Sequence, residues 1–199
     1  LGYMFLGLGV LSTYGAAYHV FTHAFFKAAL FLTCGTIMHG FAGQLDLRKL
    51  SGLLWIPGWR ITSLAMLVGC LCLAGFPFTS GYFSKDAILA VAFVTQGPGF
   101  RALGWIALFT AFLTAYYTFR VWFRVCVGRT AYEPGDDDHG HDGDDHDDHG
   151  HGHDDHGHGG GFHPHAPRFA MNSVMALIAI GALVAAVPYF LSNQADERL

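Results

Sequence analysis

The sequence predicts an all-α, polytopic transmembrane helix bundle in which one helix is discontinuous. Of the 199 residues, 52% are hydrophobic and only 13% are charged, whereas about a quarter of the residues in a soluble protein carry charge. The apolar residues form blocks of about 20 or more, which is the length that crosses a bilayer core of about 30 Å. One block carries Pro77 and Gly81 near its middle, where a helix is expected to break because proline lacks a backbone N–H.

The apolar blocks give the expected order of elements. They predict helices at residues 1–12, 14–41, 61–95, 103–127 and 168–191. Because the chain opens at Leu1 inside an apolar block, we expect it to be a fragment of a longer protein. The expected organisation is a partial transmembrane domain (1–130), a disordered cytoplasmic loop rich in His, Asp and Gly (131–167), a further transmembrane helix (168–191) and a tail (192–199).

The block at residues 61–95 is too long for one span. As a straight helix it would measure about 52 Å at 1.5 Å per residue. We therefore predict two halves separated near Pro77, with Ser84 capping a second half that starts at Lys85. Interrupted helices are tolerated at membrane depth where they lie within protein or line water, and transporters build ion sites from them. The break is thus a functional signal as well as a structural one.

The distribution of lysine and arginine predicts on which side of the membrane each loop lies. The connections at 42–60 and 129–168 are flanked by more basic residues than the short connection at 96–102. Since cytoplasmic loops carry the excess of Lys and Arg, we expect the first two connections to lie together in the cytoplasm. We therefore expect a multi-pass protein surrounded by lipid; the more specific location, a bacterial inner membrane, is what the family resemblance described below implies.

Three basic side chains stand one helical turn apart inside the second apolar block: His19, His23 and Lys27. An i, i+4, i+8 spacing places all three on one helix face, about 6 Å apart along the axis. A charged lysine at membrane depth costs at least about 2.5–3.5 kcal/mol, which favours its neutral form. Histidine exchanges protons near neutral pH. The pattern predicts a proton path that runs through intervening water; buried polar residues that bridge helices are the alternative.

Lys85 and Asp86 form a second group just after the predicted break. A helix N-terminus favours the carboxylate and disfavours the protonated amine, so we place both among the candidate proton-pathway residues. A lysine that reaches the membrane interface is the simpler alternative.

Metal and redox sites are not predicted within the membrane. The four cysteines lie inside apolar blocks without a C-x-x-C spacing, so no iron–sulfur or zinc-finger site is indicated. His19 and His23 have the spacing of metal ligands, but Lys27 one turn away would repel a divalent cation. The chain also shows no dinucleotide fingerprint, and nothing indicates binding of nucleic acid.

Five stretches occur in an order that resembles one family. They are "LGYMFLGLGV", "HVFTHAFFKAALFL", "DLRKLSGL", "GYFSKDAIL" and "AYYTFRVWFRV". Together they resemble the NADH-quinone oxidoreductase subunit L family, the distal antiporter-like subunit of respiratory complex I that is called subunit 5 in mitochondria. The resemblance covers residues 1–130 and the last helix. It implies part of an antiporter-like inverted-repeat fold.

The resemblance also implies site residues and partners. His19, His23, Lys27, Lys85 and Asp86 match positions of the family's central hydrophilic axis and outward proton exit. Other membrane-arm subunits of complex I are the implied partners. No cofactor is expected in this chain, whereas NADH, FMN, iron–sulfur clusters and quinone are expected on partner subunits, where redox energy would drive transport.

Residues 136–165 hold ten histidines and ten aspartates, with glycine making up most of the rest. With almost no apolar residues such a tract cannot offset the entropy of folding, so a solvated, disordered loop is expected. Metal buffering and pH sensing are alternatives, because imidazole binds zinc, nickel or copper. Weak, non-specific metal binding is expected at His139, His141, His146, His149, His151 and His153.

Three functions compete on the sequence alone. The favoured one is a proton-translocating subunit of an NADH:quinone oxidoreductase, in which protons move along a buried His/Lys/water axis. The alternative is the large subunit of an Mrp-type sodium/proton antiporter, which shares the helix pattern. A metal transporter with a histidine-rich loop would need paired His/Asp ligands inside the membrane, where the chain has His/His/Lys instead.

Overall fold

The computed structural model describes residues 1–95, 97–135, 164–189 and 191. Its helices are α1 (Gly2–Gly9), α2 (Thr13–Gly40), α3 (Arg60–Ala74), α4 (Ser80–Val94), α5 (Pro98–Trp122) and α6 (Phe169–Val184). A π-helical turn, Phe123–Val127, extends α5, and two-residue strands β1 (Leu50–Ser51) and β2 (Ala131–Tyr132) form one antiparallel pair. The described part is therefore a helical bundle, as predicted.

The break in the third apolar block is confirmed. Helix α3 ends at Ala74, and Gly75 adopts a left-handed conformation (φ +76°) whose N–H bonds back to the Leu71 carbonyl. This arrangement is a common way to end a helix, because glycine has no Cβ to oppose positive φ. Helix α4 begins five residues later, and Pro77 lies inside the gap.

The predicted cap of the second half is wrong. Helix α4 begins at Ser80 with Thr79 in the capping position, so Ser84 and Lys85 lie inside the helix, one turn from its start. The backbone leaves the helical conformation only between Gly75 and Thr79, and nothing forces it to stay non-helical as far as Ser84. The hydroxyl of Ser84 is consequently free to bond to another helix.

The two halves of the broken helix run antiparallel to α2 along its length. At one end Gly69 of α3 lies against Leu30, and at the other end Ile88 of α4 lies against Gly15. Between them, Ser84 meets His19. The halves are thus successive parts of a single interrupted span, and the break faces the part of α2 that carries the histidines and lysine.

Helices α5 and α6 complete the bundle. In α5, Trp105 packs on Phe93 and Trp122 bonds to the Ser63 carbonyl, so α5 runs antiparallel to the broken span. In α6, Met171 lies near Thr36 and Ala185 near Tyr18, so α6 runs antiparallel to α2. Within the described residues, the helices long and apolar enough to cross a membrane are Thr13–Gly40, Gly99–Val127 and Phe169–Tyr189.

Besides the start of α4, other helix ends differ from the prediction: α1 ends at Gly9 rather than at residue 12, and α6 ends at Val184 rather than at residue 191. Helix α5 begins at Pro98 rather than at residue 103, since proline is well suited to the first turn of a helix, where its missing N–H has no partner to lose. Helix α6 begins at Phe169, close to the predicted residue 168.

The connections at 41–59 and 128–135 meet at one end of the bundle. Leu50 is paired with Tyr132, and Lys49 forms an ion pair with Glu133 at 3.3 Å. Beneath them lies an apolar cluster centred on Phe41 and Trp59, which are fully buried. The described parts of these two connections thus share one end of the bundle, and their placement on the cytoplasmic side of the membrane stays a prediction.

Cysteines introduced at Ser51 and Ala131 should form a disulfide. The two residues are strand partners, and paired Cα atoms in an antiparallel sheet lie about 4.5–5.5 Å apart, within disulfide range. The measurement is oxidant-dependent cross-linking in membranes that contain the full-length protein. The matched control pairs Ser51→Cys with Arg101→Cys at the opposite end of the bundle. Equal cross-linking of both pairs would contradict this topology.

Candidate functional site

The predicted basic residues line one cavity of about 400 Å³. We call it the histidine–lysine cavity. It lies between α1, α2, the broken span and α5. Its polar and charged lining residues are Tyr3, His19, His23, Lys27, Lys85, Thr110, Thr114 and Tyr117. The structure thus brings together four of the five residues that the sequence singled out.

His19 is the most enclosed member of this cavity. Only 3% of it is exposed, and its Nδ1 lies 2.9 Å from Oγ of Ser84 on the facing helix. The Thr22 hydroxyl, one turn along α2, lies 3.1 Å from the same Ser84 oxygen. The His19 ring is therefore bonded to one buried hydroxyl, that of Ser84, which is itself bonded to the buried hydroxyl of Thr22.

His23 and Lys27 continue the row along α2. The rings of His19 and His23 have centroids 5.9 Å apart, close to the rise of one helical turn. Lys27 is half-buried, lines the same cavity and has its amine 5.9 Å from the centroid of the Phe31 ring. Lys27 therefore borders the same cavity as Leu73 and Lys85 of the broken span, and its role in proton transfer stays a prediction.

Lys85 is positioned by the helix break. It is 7% exposed, and its amine donates a hydrogen bond to the Leu73 carbonyl at 2.5 Å. Leu73 is in the last turn of α3, where carbonyl groups lack helical partners and the helix dipole favours a cation. The ring of Tyr3 lies 5.4 Å from the same amine, so the charged form also gains a cation–π contact. The gap in the helix thus creates the polar partner that a buried lysine needs.

Asp86 does not join this group. It is exposed and borders a second cavity of about 200 Å³, together with Gly75, Tyr82 and Lys85. Consecutive helical residues project about 100° apart, so Lys85 and Asp86 cannot face the same way. Lys85 lines both cavities and lies between them.

Three contacts of the site were missed by the sequence reasoning. Tyr3, Thr22 and the hydrogen-bonding role of Ser84 were not predicted. Thr22 and Ser84 carry a weak signal, because each is a hydroxyl residue within an apolar helix, three positions after His19 and one before Lys85. Tyr3 carries none, since only the packing of α1 on α2 brings it to the cavity.

The described residues do not form a metal-binding site. No three or more His, Cys, Asp and Glu side chains among residues 1–95, 97–135, 164–189 and 191 are placed to hold an ion. The histidines predicted to bind metals weakly, from His139 to His153, lie outside that part of the chain.

Comparison with known proteins decides the family. Residues 1–116 match the model of the transmembrane family described as NADH:quinone oxidoreductase/Mrp antiporter. The chain belongs to this family. The match includes α1, the row of basic residues on α2, the broken span and most of α5, so the site lies within the family's own region.

Named relatives are similar to the same region. The chain is 44% identical over 124 residues to NADH-ubiquinone oxidoreductase chain 5 of Dictyostelium discoideum, covering 61% of this chain and 18% of that one. It is 42% identical over 144 residues to NADH-quinone oxidoreductase subunit L of Campylobacter jejuni, covering 71% and 22%. The resemblance predicted from the five motifs is confirmed. The chain spans about a fifth of the length of these relatives.

Proposed function

We propose that this chain is part of a proton-translocating membrane-arm subunit of an NADH:quinone oxidoreductase. The observation that carries the proposal is that Lys27, His23, His19 and Lys85 line one cavity inside a bundle of the antiporter-like family. The family match and the relatives' names support membership of such a complex. Its partners would be the other membrane-arm subunits, in a bacterial inner membrane. NADH, FMN, iron–sulfur clusters and quinone would be bound by partner subunits.

The cavity can carry protons because its basic groups exchange them and are spaced for water. An amine and an imidazole about 6 Å apart cannot pass a proton directly, but one water between them completes a hydrogen-bonded chain. Each group changes charge by one as the proton arrives and leaves. Lys27 and the two histidines form a row along α2, and Lys85 receives the proton across the cavity.

Lys85 is the exchange point between the two cavities. In its protonated form the amine is held by the Leu73 carbonyl and the Tyr3 ring. Loss of the proton weakens both contacts, since they depend on the positive charge. The proton then leaves toward the cavity bordered by Asp86. This order makes Lys85 the last buried carrier and Asp86 the first exposed one.

An Mrp-type sodium/proton antiporter is the second candidate, because the matched family includes both kinds of protein. The relatives described above, chain 5 of Dictyostelium discoideum and subunit L of Campylobacter jejuni, are named as oxidoreductase components. For this reason the oxidoreductase is preferred. Sodium-dependent proton movement without NADH oxidation would favour the antiporter.

Replacing Lys27 with alanine should lower proton pumping by at least about threefold while leaving assembly intact, because one carrier of the row is lost. The measurement uses the full-length subunit in the reconstituted oxidoreductase, with NADH-driven acidification of vesicles compared with NADH oxidation. The matched control is Lys49→Ala, which removes an exposed lysine from its ion pair with Glu133. Such surface pairs contribute about 1 kcal/mol or less, so pumping should be unchanged. An unaltered proton-to-electron ratio in Lys27→Ala would remove this mechanism.

A further inference from the structure

The hydroxyl groups of Ser84 and Thr22 are not used by the proton row, yet both are completely buried beside His19. They come from different helices, α4 and α2. Each hydroxyl has two acceptors within hydrogen-bonding distance. For Ser84 these are Nδ1 of His19 at 2.9 Å and the Gly81 carbonyl at 3.3 Å. For Thr22 they are Oγ of Ser84 at 3.1 Å and the His19 carbonyl at 3.2 Å.

These distances allow two complete hydrogen-bond arrangements. In the first, Thr22 donates to Ser84 and Ser84 donates to a bare Nδ1 of His19. In the second, Nδ1 carries a hydrogen and donates to Ser84, Ser84 donates to the Gly81 carbonyl, and Thr22 still donates to Ser84, whose oxygen can accept both bonds. A hydroxyl can turn its hydrogen while its oxygen stays in place and accepts. Passing between the arrangements therefore needs no movement of a heavy atom.

The two arrangements match the protonation states of His19. The first fits the neutral ring with its hydrogen on Nε2. The second fits both the neutral ring with its hydrogen on Nδ1 and the imidazolium, in which both nitrogens donate. Ser84 therefore keeps a hydrogen bond to Nδ1 in every state, and Nε2 remains the nitrogen available to the cavity that His19 lines.

We propose that Ser84, supported by Thr22, is a positioning residue that anchors Nδ1 of His19 and confines proton exchange of this imidazole to Nε2. The inference rests on the proposed function. When the neutral ring carries its hydrogen on Nδ1, held against Ser84, Nε2 is bare, takes up one proton from the cavity and later returns a proton to it; when Nε2 already carries the hydrogen, the ring takes up none. No proton passes through the Ser84 oxygen, because a serine alkoxide would be too basic to form there. His19 thus exchanges protons with the cavity through Nε2 alone.

Thr22 provides the most direct test, because one substitution removes its hydroxyl while keeping its shape, and another keeps the hydroxyl while removing a methyl group. Thr22→Val keeps the shape and removes the hydroxyl, whereas Thr22→Ser keeps the hydroxyl and removes a methyl group. In the full-length subunit within the reconstituted oxidoreductase, we expect Thr22→Val to lower NADH-driven pumping by about twofold to tenfold, the effect of losing one hydrogen bond. Thr22→Ser should pump normally. Equal pumping by the two variants would overturn the proposal.

Ser84 is tested against a serine one turn away. Ser84→Ala should lower pumping at least as far as Thr22→Val, while Ser80→Ala should leave the proton-to-electron ratio unchanged. Ser80 is as fully buried as Ser84, and Ser80→Ala also removes one hydrogen bond, to the Ala182 carbonyl. The two variants therefore lose the same hydroxyl group from a buried position and one hydrogen bond or more each. An equal loss of pumping in Ser84→Ala and Ser80→Ala would indicate a general packing effect and would overturn the proposal that Ser84 anchors Nδ1 of His19. If Ser84→Ala does not assemble, the Thr22 pair still decides the question.

A double variant at Ser84 and His19 tests this inference separately from the proposed function. In a His19→Gln background, Ser84→Ala should cause no further loss, because groups that act as one unit are not additive. Independent, multiplying losses would contradict the anchor. Impaired pumping in Lys27→Ala together with normal pumping in Ser84→Ala overturns the inference alone. Normal pumping in Lys27→Ala as well would overturn the proposed function and, with it, the inference.

Discussion

Replacing Gly81 with alanine should prevent α4 from packing against the end of α3. A Cβ atom at this position would lie 1.8 Å from the Cys72 carbonyl oxygen and 2.7 Å from its carbon. Both atoms belong to backbone, so no side-chain rotation relieves the clash. Core overpacking costs about 1–3 kcal/mol where side chains can adjust, so we expect a loss of about 3 kcal/mol or more here. The full-length variant should accumulate poorly in membranes and show a lower Tm after solubilisation.

A helical glycine with open space around it provides the control for Gly81. Gly35 lies in α2, and a Cβ atom there would meet nothing within 4 Å among the described residues. Alanine is favoured over glycine in a helix by about 1 kcal/mol, so Gly35→Ala should be neutral or slightly stabilising. Wild-type stability in Gly81→Ala would show that the two halves of the broken span do not approach as described.

Replacing Lys85 with methionine should lower proton pumping by about tenfold or more, the scale of losing a group that transfers protons. The effect should exceed that of Lys27→Ala, because Lys85 lines both cavities and no other residue among their described linings does so. Methionine retains most of the side-chain length. It also removes the desolvation cost of a buried ammonium group, so the variant should assemble.

The neighbouring carboxylate is the matched comparison for Lys85. Asp86→Asn changes the charge of the next residue along the chain, but this residue is exposed and does not line the histidine–lysine cavity. We expect a smaller loss than in Lys85→Met, measured as acidification per NADH oxidised by the reconstituted full complex. A larger loss in Asp86→Asn than in Lys85→Met would contradict the assignment of Lys85 as the exchange point between the two cavities.

The sequence predicted those features that depend on helical periodicity. Helical spacing placed His19, His23 and Lys27 on one face, and the structure has all three on one cavity. The length of the third block and Pro77 predicted the break, which lies at residues 75–79. The distribution of basic residues predicted that two connections lie on one side of the membrane, and the pairing of β1 with β2 joins their described parts at one end of the bundle.

Features that depend on packing could not be predicted from the sequence. The start of α4 is fixed by where the chain leaves the turn after Gly75, and local preference for a serine cap at Ser84 was misleading. The contact of Tyr3 with Lys85 requires α1 to fold against α2. The separation of Asp86 from Lys85 was available from helical geometry alone, yet their adjacency in sequence suggested one group.

The Ala182 carbonyl of α6 accepts a hydrogen bond from Ser80 of α4 and another, at 3.8 Å, from the Cys72 thiol of α3. The Ala182 carbonyl oxygen is thus hydrogen-bonded to a residue on each side of the break between α3 and α4. Separating the two halves would stretch both bonds, at a cost of about 0.5–1.5 kcal/mol for each hydrogen bond. Helix α6 therefore braces the interruption from outside the broken span.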